Sequence, residues 1–408
     1  MDAFFPEHLL TGKEVCKLMS IDRTFFDPVY DRRNTGAIKY DGCSPTESEC
    51  VIPMWIADMH FKVPPAVEQE LLERVRHGIF GYTDTGADYD GLVAAWYGKR
   101  FRWTIDGDWI LKTPGVIFAV AAAIRALSKP GDGVLICQPV YYPFAKIIAA
   151  NGRRAVGSEL ILKNGRYEID FADFEQKIRT NAVRIFLLCS PHNPVSRVWT
   201  RAELEEIGRI CEKYNVYIVS DEIHSDFVFA DRPHIPISAL SEALAQRTVT
   251  CTSPTKTFNL AGLQAANIII PNGQVRRQVY RECRATGYSH LNTMAIAATG
   301  AAYRFGEPWL DALLAYLRES YGILKRAFPR GGPISLIEPE GTYLAWLDCR
   351  GLGMTDDELA GFFRDRAHVR LHLGAAFGPG GSGFVRMNIA CPHAILLKAV
   401  SQIQNALQ

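Results

Sequence analysis

The chain predicts an α/β protein built on a mostly parallel sheet, and three apolar runs with polar residues at their ends carry that prediction. Arg184-Ile185-Phe186-Leu187-Leu188-Cys189, Val216-Tyr217-Ile218-Val219 and Val249-Thr250-Cys251-Thr252 read as short strands, because near-continuous apolar runs mark strands covered on both faces. Asn193, Asp221 and Lys256 follow these runs, with about 30 residues between successive ends, the size of a βαβ unit. Ligands of open α/β sheets bind just outside the carboxyl ends of strands. An amide, a carboxylate and an amine are therefore delivered to one rim.

The remaining elements follow in order. Residues 1–50 mix Pro, Gly and charge and are expected to be an irregular segment packing with a small domain. Pro64-Pro65 opens a helix that stops at Gly78, the usual asymmetry of Pro at a helix start and Gly just past its end. A second helix is expected over 88–100. Thr113-Pro114-Gly115 leads into a small apolar helix over 116–127, ended by Pro130-Gly131-Asp132, and 133–137 reads as a strand. Thr200 and Glu203 have the spacing of a capping box, starting a helix that runs to residue 214. Strand and helix alternate to about Asn272, which argues for a doubly wound sheet.

Helical text then dominates over 275–327, followed by a strand-like stretch at 341–347, a helix near 356–366 and a strand at 384–389. The expected division is a large domain over 51–290 with a mostly parallel seven-stranded sheet, and a smaller α+β domain over 291–408. The glycine-rich stretch 374–383 suits an active-site loop better than a linker.

Composition narrows the function. Lys plus Arg number 45 against 44 Asp plus Glu, so the chain lacks the basic footprint of a nucleic-acid or acidic-membrane binder. Its ten cysteines include no CxxC pair, and Cys137, Cys189 and Cys251 fall in apolar strand-like runs. Buried thiols of a reducing compartment explain this better than disulfides or a zinc site. A start of Met1-Asp2-Ala3-Phe4-Phe5 has neither the basic nor the apolar region of a signal peptide. A cytoplasmic location and no bound metal are expected.

An amine that forms a Schiff base, beside a carboxylate that holds a pyridinium nitrogen, is what pyridoxal phosphate requires. Lys256 lies in Ser253-Pro254-Thr255-Lys256-Thr257-Phe258, and its small hydroxyl neighbours suit a phosphate next to that Schiff base. Asp221 is the carboxylate for the ring nitrogen. Asn193 is a candidate for the cofactor's 3′ oxygen, though Asn-Pro is also ordinary turn chemistry. Gly115 with the amides of Val116 and Ile117 stands at a helix N-terminus, a ready phosphate cradle. Tyr141 is the aromatic expected to stack on the ring and to join Lys256 and Asp221 in catalysis, with Tyr142 ranked second. Arg386 sits in a late strand, where a buried guanidinium needs an anion. A substrate α-carboxylate is the natural partner, with an internal salt bridge as the competing role.

With these residues assembled, the chain resembles the fold-type-I pyridoxal-phosphate enzymes, specifically the bacterial cystathionine β-lyase/C–S lyase group (MalY/PatB-like). The segments that carry the resemblance are Pro53-Met54-Trp55-Ile56-Ala57-Asp58-Met59, Gly78-Ile79-Phe80-Gly81-Tyr82-Thr83, Thr113-Pro114-Gly115-Val116 and Pro139-Val140-Tyr141-Tyr142. Further along they are Pro191-His192-Asn193-Pro194, Ser220-Asp221-Glu222-Ile223-His224, Lys256-Thr257-Phe258-Asn259 and Pro339-Glu340-Gly341-Thr342-Tyr343. The resemblance implies a homodimer with shared active sites, in which Tyr82 reaches the partner's cofactor phosphate. It also implies that Trp55 and Ala57 lie near the substrate carboxylate and His224 near the 3′ oxygen. His60, Ser196 and Phe118 depart from the group's usual residues. Gln264 stands where many aminotransferases place a phosphate-binding arginine, which leaves the phosphate to the helix end, Ser253, Thr255 and Tyr82.

The activity this implies is cleavage of L-cystathionine or a related L-cysteine S-conjugate to a thiol, pyruvate and ammonia. An aminotransferase shares every step as far as the Cα carbanion and is the alternative. A protein of this fold acting mainly by binding another protein is a third, disfavoured because such a module needs none of Asn193, Asp221, Lys256 and Arg386.

Overall fold

The computed structural model describes residues 21–42 and 51–408. At its centre is an eight-stranded sheet made of β1 (Ile110–Thr113), β2 (Gly133–Gln138), β3 (Arg154–Lys163), β4 (Arg166–Ile169), β5 (Val183–Cys189), β6 (Tyr217–Asp221), β7 (Thr248–Thr252) and β8 (Ala266–Ile269). The spatial order is β1-β8-β7-β6-β5-β2-β3-β4. Strands β3, β2, β5, β6 and β7 pair in parallel. Strand β8 runs against both of its neighbours, so β1 points the same way as the parallel set. The short β4 returns along β3 as a hairpin and extends the expected seven strands by one.

Side chains alternate between faces along a strand, and here the alternation feeds two cores. Val134, Ile136, Ile185, Leu187, Val219 and Val249 join the core that contains α3 (Val116–Leu127), α4 (Pro143–Ala150) and α8 (Gly273–Ala285). Leu135, Phe186, Leu188 and Ile218 join the one that contains α5 (Phe171–Thr180) and α6 (Arg201–Lys213). Ahead of these helices lie α1 (Pro65–His77) and α2 (Gly86–Phe101). Helix α1 closes at Gly78 with φ 74°, whose N–H returns to the Arg74 carbonyl. Helix α6 starts with the capping box between Thr200 and Glu203. The short α7 (Pro254–Thr257) follows β7, and α9 (Thr293–Phe305) and α10 (Glu307–Ala327) supply the expected helical text.

The C-terminal part forms a four-stranded antiparallel sheet of β9 (Ser335–Leu336), β10 (Leu344–Asp348), β11 (His372–Leu373) and β12 (Phe384–Asn388). Phe26, from the first described segment, packs edge-on against Phe61 and Trp309, and Tyr316 donates to Asp27 at 3.0 Å. That segment therefore lies on α10. Residues 1–20 and 43–50 of the expected N-terminal segment lie outside the described residues.

Two connections fix the small sheet beside the large one. Buried Glu340 accepts from Arg166 Nε (2.7 Å), Arg197 Nε (2.8 Å), Arg232 Nη2 (2.6 Å) and the Val198 amide (2.9 Å). Burial would raise its pKa, but Arg197 and Arg166 hold it down at about 2. The glycine-rich loop at 374–383 is packed rather than open. A Cβ on Gly374 would lie 2.1 Å from the Gly381 carbonyl oxygen, and the Phe377 carbonyl accepts the Val140 amide at 3.0 Å. The loop thus braces the segment carrying Tyr141.

Candidate active site

Parallel pairing sets the site. Cys189 is level with Asp221, and Asp221 with Cys251, so β5, β6 and β7 end together. Beyond those ends a cavity of about 390 Å³ is lined by Ala57, Gly115, Val116, Ile117, Tyr141, Asn193, Asp221, His224 and Lys256. Nine residues chosen from sequence thus share one cavity. Phe118, Cys189, Ile223 and Gln264 line it too.

The protonation states follow from burial. Asp221 accepts the Ile223 amide at 3.1 Å, yet burial pushes its carboxyl up to about 7. A facing cation would favour its ionised form at neutral pH. Burial lowers Lys256 to about 8, with Arg386 pushing the same way and Asp58 and Asp221 opposing. Its Nζ donates to the Ala57 carbonyl at 2.5 Å. Burial, Lys256 and Arg386 keep His224 neutral at neutral pH, with a pKa of about 3.

Arg386 is buried beside the cavity rather than in its wall. It donates from Nη1 to Asn193 Oδ1 (3.0 Å) and from Nη2 to the Trp55 carbonyl (2.9 Å), and its Nε is buried without a partner. No carboxylate among the described residues pairs with it: burial lowers its pKa to about 10, with Tyr141, Tyr142 and Tyr343 opposing. The internal salt bridge weighed for Arg386 is absent among the described residues. Asn193 instead ties the guanidinium to the cavity.

The other expected residues sit differently. Ser253 caps α7, accepting the Thr255 amide at 3.0 Å and donating to the Ala265 carbonyl at 2.6 Å. Thr255 Oγ1 lies 2.6 Å from Ser253 Oγ. Both hydroxyls are therefore engaged within the protein. Tyr82 does not line the cavity and is fully exposed, at 106%. Trp55 contributes its carbonyl to Arg386, while its ring lies beneath Arg370, 4.5 Å from the guanidinium. Ser196 sits at φ 61°, the region where glycine is usual, and its hydroxyl donates to the Gly341 carbonyl.

Sequence reasoning missed three neighbours. Tyr343 donates to the same Ala57 carbonyl at 3.1 Å. Lys39 is 1% exposed and pairs with Asp58. His372 lies opposite Arg386 across the β11–β12 pair. Tyr343 was visible only as part of a motif, and Lys39 lies in irregular text with no local periodicity to mark it.

The cavity suits pyridoxal phosphate on features of its own. No side chain caps α3, so its first amides are free to bind an anion. A Cβ on Gly115 would meet no protein atom within 4 Å, leaving that space for a ligand. His224 Nδ1 is buried without a partner. A lysine amine, a carboxylate needing a cation and an anion cradle therefore converge on one volume.

The fold and this cavity define a member of the aminotransferase class I and II family, whose model matches residues 51–403. Within it, cystathionine β-lyase PatB of Bacillus subtilis (strain 168) is 38% identical over 387 residues, covering 94% of this chain and 99% of that protein. Protein MalY of Escherichia coli (strain K12) is 34% identical, covering 94% and 98%. The crystal structure of cystalysin from Treponema denticola, which contains a pyridoxal 5′-phosphate cofactor, matches with a TM-score of 0.91 at 36% identity. It covers 94% of this chain and 98% of that one.

Proposed function

We propose that this chain is a pyridoxal-phosphate-dependent carbon–sulfur β-lyase that converts L-cystathionine or a related L-cysteine S-conjugate, with water, to a thiol, pyruvate and ammonia. The observation that carries the proposal is the meeting of Lys256, Asp221 and the α3 N-terminus in one cavity, beside a buried Arg386 that no carboxylate among the described residues neutralises. Pyridoxal phosphate, when bound, supplies an aldehyde for imine exchange and a ring that accepts the electron pair left at Cα.

The chain's own residues do the rest. Lys256 holds the cofactor at rest and, once displaced, takes the Cα proton on Nζ; an amine of pKa about 8 is suited to that task near neutral pH. Asp221 supplies the negative charge opposite the ring nitrogen. The amides of Val116 and Ile117 receive the phosphate at the positive end of α3. Arg386 receives the substrate α-carboxylate, and Asn193 orients that guanidinium. Tyr141 covers the ring. The departing thiolate needs no strong general acid, because a thiol of pKa about 8.5 is already a good leaving group.

Product identity tests this reading. An S-alkyl-L-cysteine is expected to give pyruvate and free thiol with no added 2-oxo acid, followed by coupled reduction of pyruvate and a thiol reagent. A strict requirement for a 2-oxo acid acceptor would instead make the chain an aminotransferase.

The same reading makes the chain a homodimer. Ile79 (68%), Phe80 (57%) and Tyr82 project into solvent, a run of large apolar side chains that a partner subunit would cover. Tyr82 then serves the partner's phosphate. Sedimentation is expected to give twice the chain mass, and Phe80→Glu to shift it toward one chain; a monomeric native protein would refute the shared site. The seven described cysteines are free and buried, which supports a reducing, cytoplasmic setting. No helix among the described residues is long and apolar enough to cross a membrane. The reading keeps a cofactor domain over 51–290 and a small domain over 291–408.

A further inference from the structure

Five consecutive carbonyls, from Trp55 to Met59, are each taken by a side chain from elsewhere in the chain. Trp55 O accepts from Arg386 at 2.9 Å and Ile56 O from Asn388 at 2.5 Å. Ala57 O accepts from Lys256 at 2.5 Å and Tyr343 at 3.1 Å. Asp58 O accepts from Asn388 at 2.6 Å and Lys39 at 3.1 Å. Met59 O accepts from Arg32 at 3.1 Å and Asn259 at 3.2 Å. A segment outside both main sheets is thus held by groups from α7 and the loop after it, from the small sheet and the residue leading into it, and from the N-terminal segment.

Ala57 is the point where this strap meets the chemistry. A carbonyl oxygen has two acceptor sites, and here one takes the Lys256 amine and the other the Tyr343 hydroxyl. Tyr343 is fully buried. Its ring packs edge-on against Phe227 at 4.8 Å and His224 at 5.7 Å. The residue before it, Thr342, adopts φ 64°, a costly conformation for a β-branched side chain that persists only where surroundings impose it. Those surroundings are bonds from the Thr342 amide to the Phe227 carbonyl, from Tyr321 Oη to the Thr342 carbonyl and from the Leu344 amide to Thr342 Oγ1. The backbone is strained at the position that aims Tyr343 at Ala57.

We propose that the Ala57 carbonyl, held in place by Tyr343, is the dock for the Lys256 amine whenever that amine is not bonded to the cofactor. The inference rests on Lys256 being the cofactor lysine. Tyr343 is then a positioning residue. After Nζ has taken the substrate Cα proton, the ammonium returns to Ala57 O and leaves the cavity clear for loss of the thiolate. Without the dock, a long flexible side chain carrying a fresh charge would sample many rotamers. The groups facing Nζ are otherwise mixed in sign: Asp221 at the end of β6, Asp58 on the strap, Arg386 on β12 and Lys39 beside the strap. His224, also in the cavity, is neutral. Among the described residues, the Ala57 carbonyl is the group hydrogen-bonded to Nζ.

The test uses the full chain stripped of cofactor, with acetylation of Lys256 by acetic anhydride read by mass spectrometry across pH. In the native chain the midpoint is expected near 8, where burial puts the amine. In Tyr343→Phe the Ala57 carbonyl remains but loses the hydrogen bond that aims it at the amine, and the midpoint is expected to fall by about half a unit or more. In the reconstituted enzyme kcat is expected to fall about tenfold with KM within about twofold, the pattern of a group that acts after substrate has bound. Should Tyr343→Phe fail to fold, 4-fluorophenylalanine at position 343 fills the hydroxyl's volume without its donor and takes its place. A folded variant with an unchanged midpoint and unchanged kcat overturns the dock. Failure of added pyridoxal phosphate to protect Lys256 from acetylation in the native chain would instead overturn the assignment of the lysine, and the dock with it.

Discussion

Lys256→Ala is expected to abolish β-elimination, lowering kcat by at least about 10³-fold, because a positioned base alone supplies up to about 10⁴ and, on the proposed reading, this lysine also holds the cofactor. The fold should survive. Lys256 belongs to the four-residue α7, and among the described residues its amine bonds to the Ala57 carbonyl. The methyl group of alanine fits the same helix, so the unfolding midpoint should stay close to that of the native chain. The second signature is optical. Native protein with pyridoxal phosphate should show the visible absorbance of a lysine imine, and the variant, freed of amines by dialysis, should not. An unaltered visible spectrum in the variant would refute Lys256 as the attachment point, whatever the activity. Asp221→Ala provides the contrast, since on the proposed reading it removes the charge opposite the ring nitrogen while leaving the imine lysine in place.

Glu340→Gln is expected to destabilise the chain by about 3 kcal/mol, at the lower end of what breaking a buried ion pair costs. The glutamine preserves volume, so the loss reports charge. Arg197 is 1% exposed and keeps its pair with Glu203, which is why the loss should not reach the top of that range. The sign of the pH dependence is fixed by the depressed pKa. Glu340 titrates at about 2 when folded against an ordinary 4.5, so its contribution is full above about 4.5 and disappears as pH falls toward 2. Urea unfolding at pH 7 should separate the two proteins, and unfolding near pH 3 should bring them closer together. An equal difference at both pH values would mean that Glu340 acts through packing and not through its charge.

The parallel sheet was legible because its strands are apolar on both faces and its helices carry strong end signals. Gly78, the Thr200–Glu203 box and the apolar run of α3 lie where local chemistry requires them. The cavity was legible for a related reason: strand ends in a parallel sheet converge, so residues that follow them share a rim. Asn193, Asp221, Lys256, Gly115 and Tyr141 are all of this kind. What was not legible depends on contacts across long stretches of chain. Ser253 and Thr255 read as phosphate ligands by proximity to Lys256, and nothing local shows that Ser253 also donates to Ala265, twelve residues away. Tyr82 could be tied to a phosphate only by resemblance, because its own subunit leaves it in solvent.

By itself, then, the sequence determined the chemistry at the strand ends and the alternation that folds them together, because both follow from periodicity and from groups a few residues apart. Only the tertiary structure decided that Arg386 meets Asn193 across 193 residues and, among the described residues, faces no carboxylate. It alone decided that Lys256 and Tyr343 share the Ala57 carbonyl. Contacts of that range leave no periodic trace, since a hydrogen bond is fixed by the position and direction of two atoms in space and not by their separation along the chain.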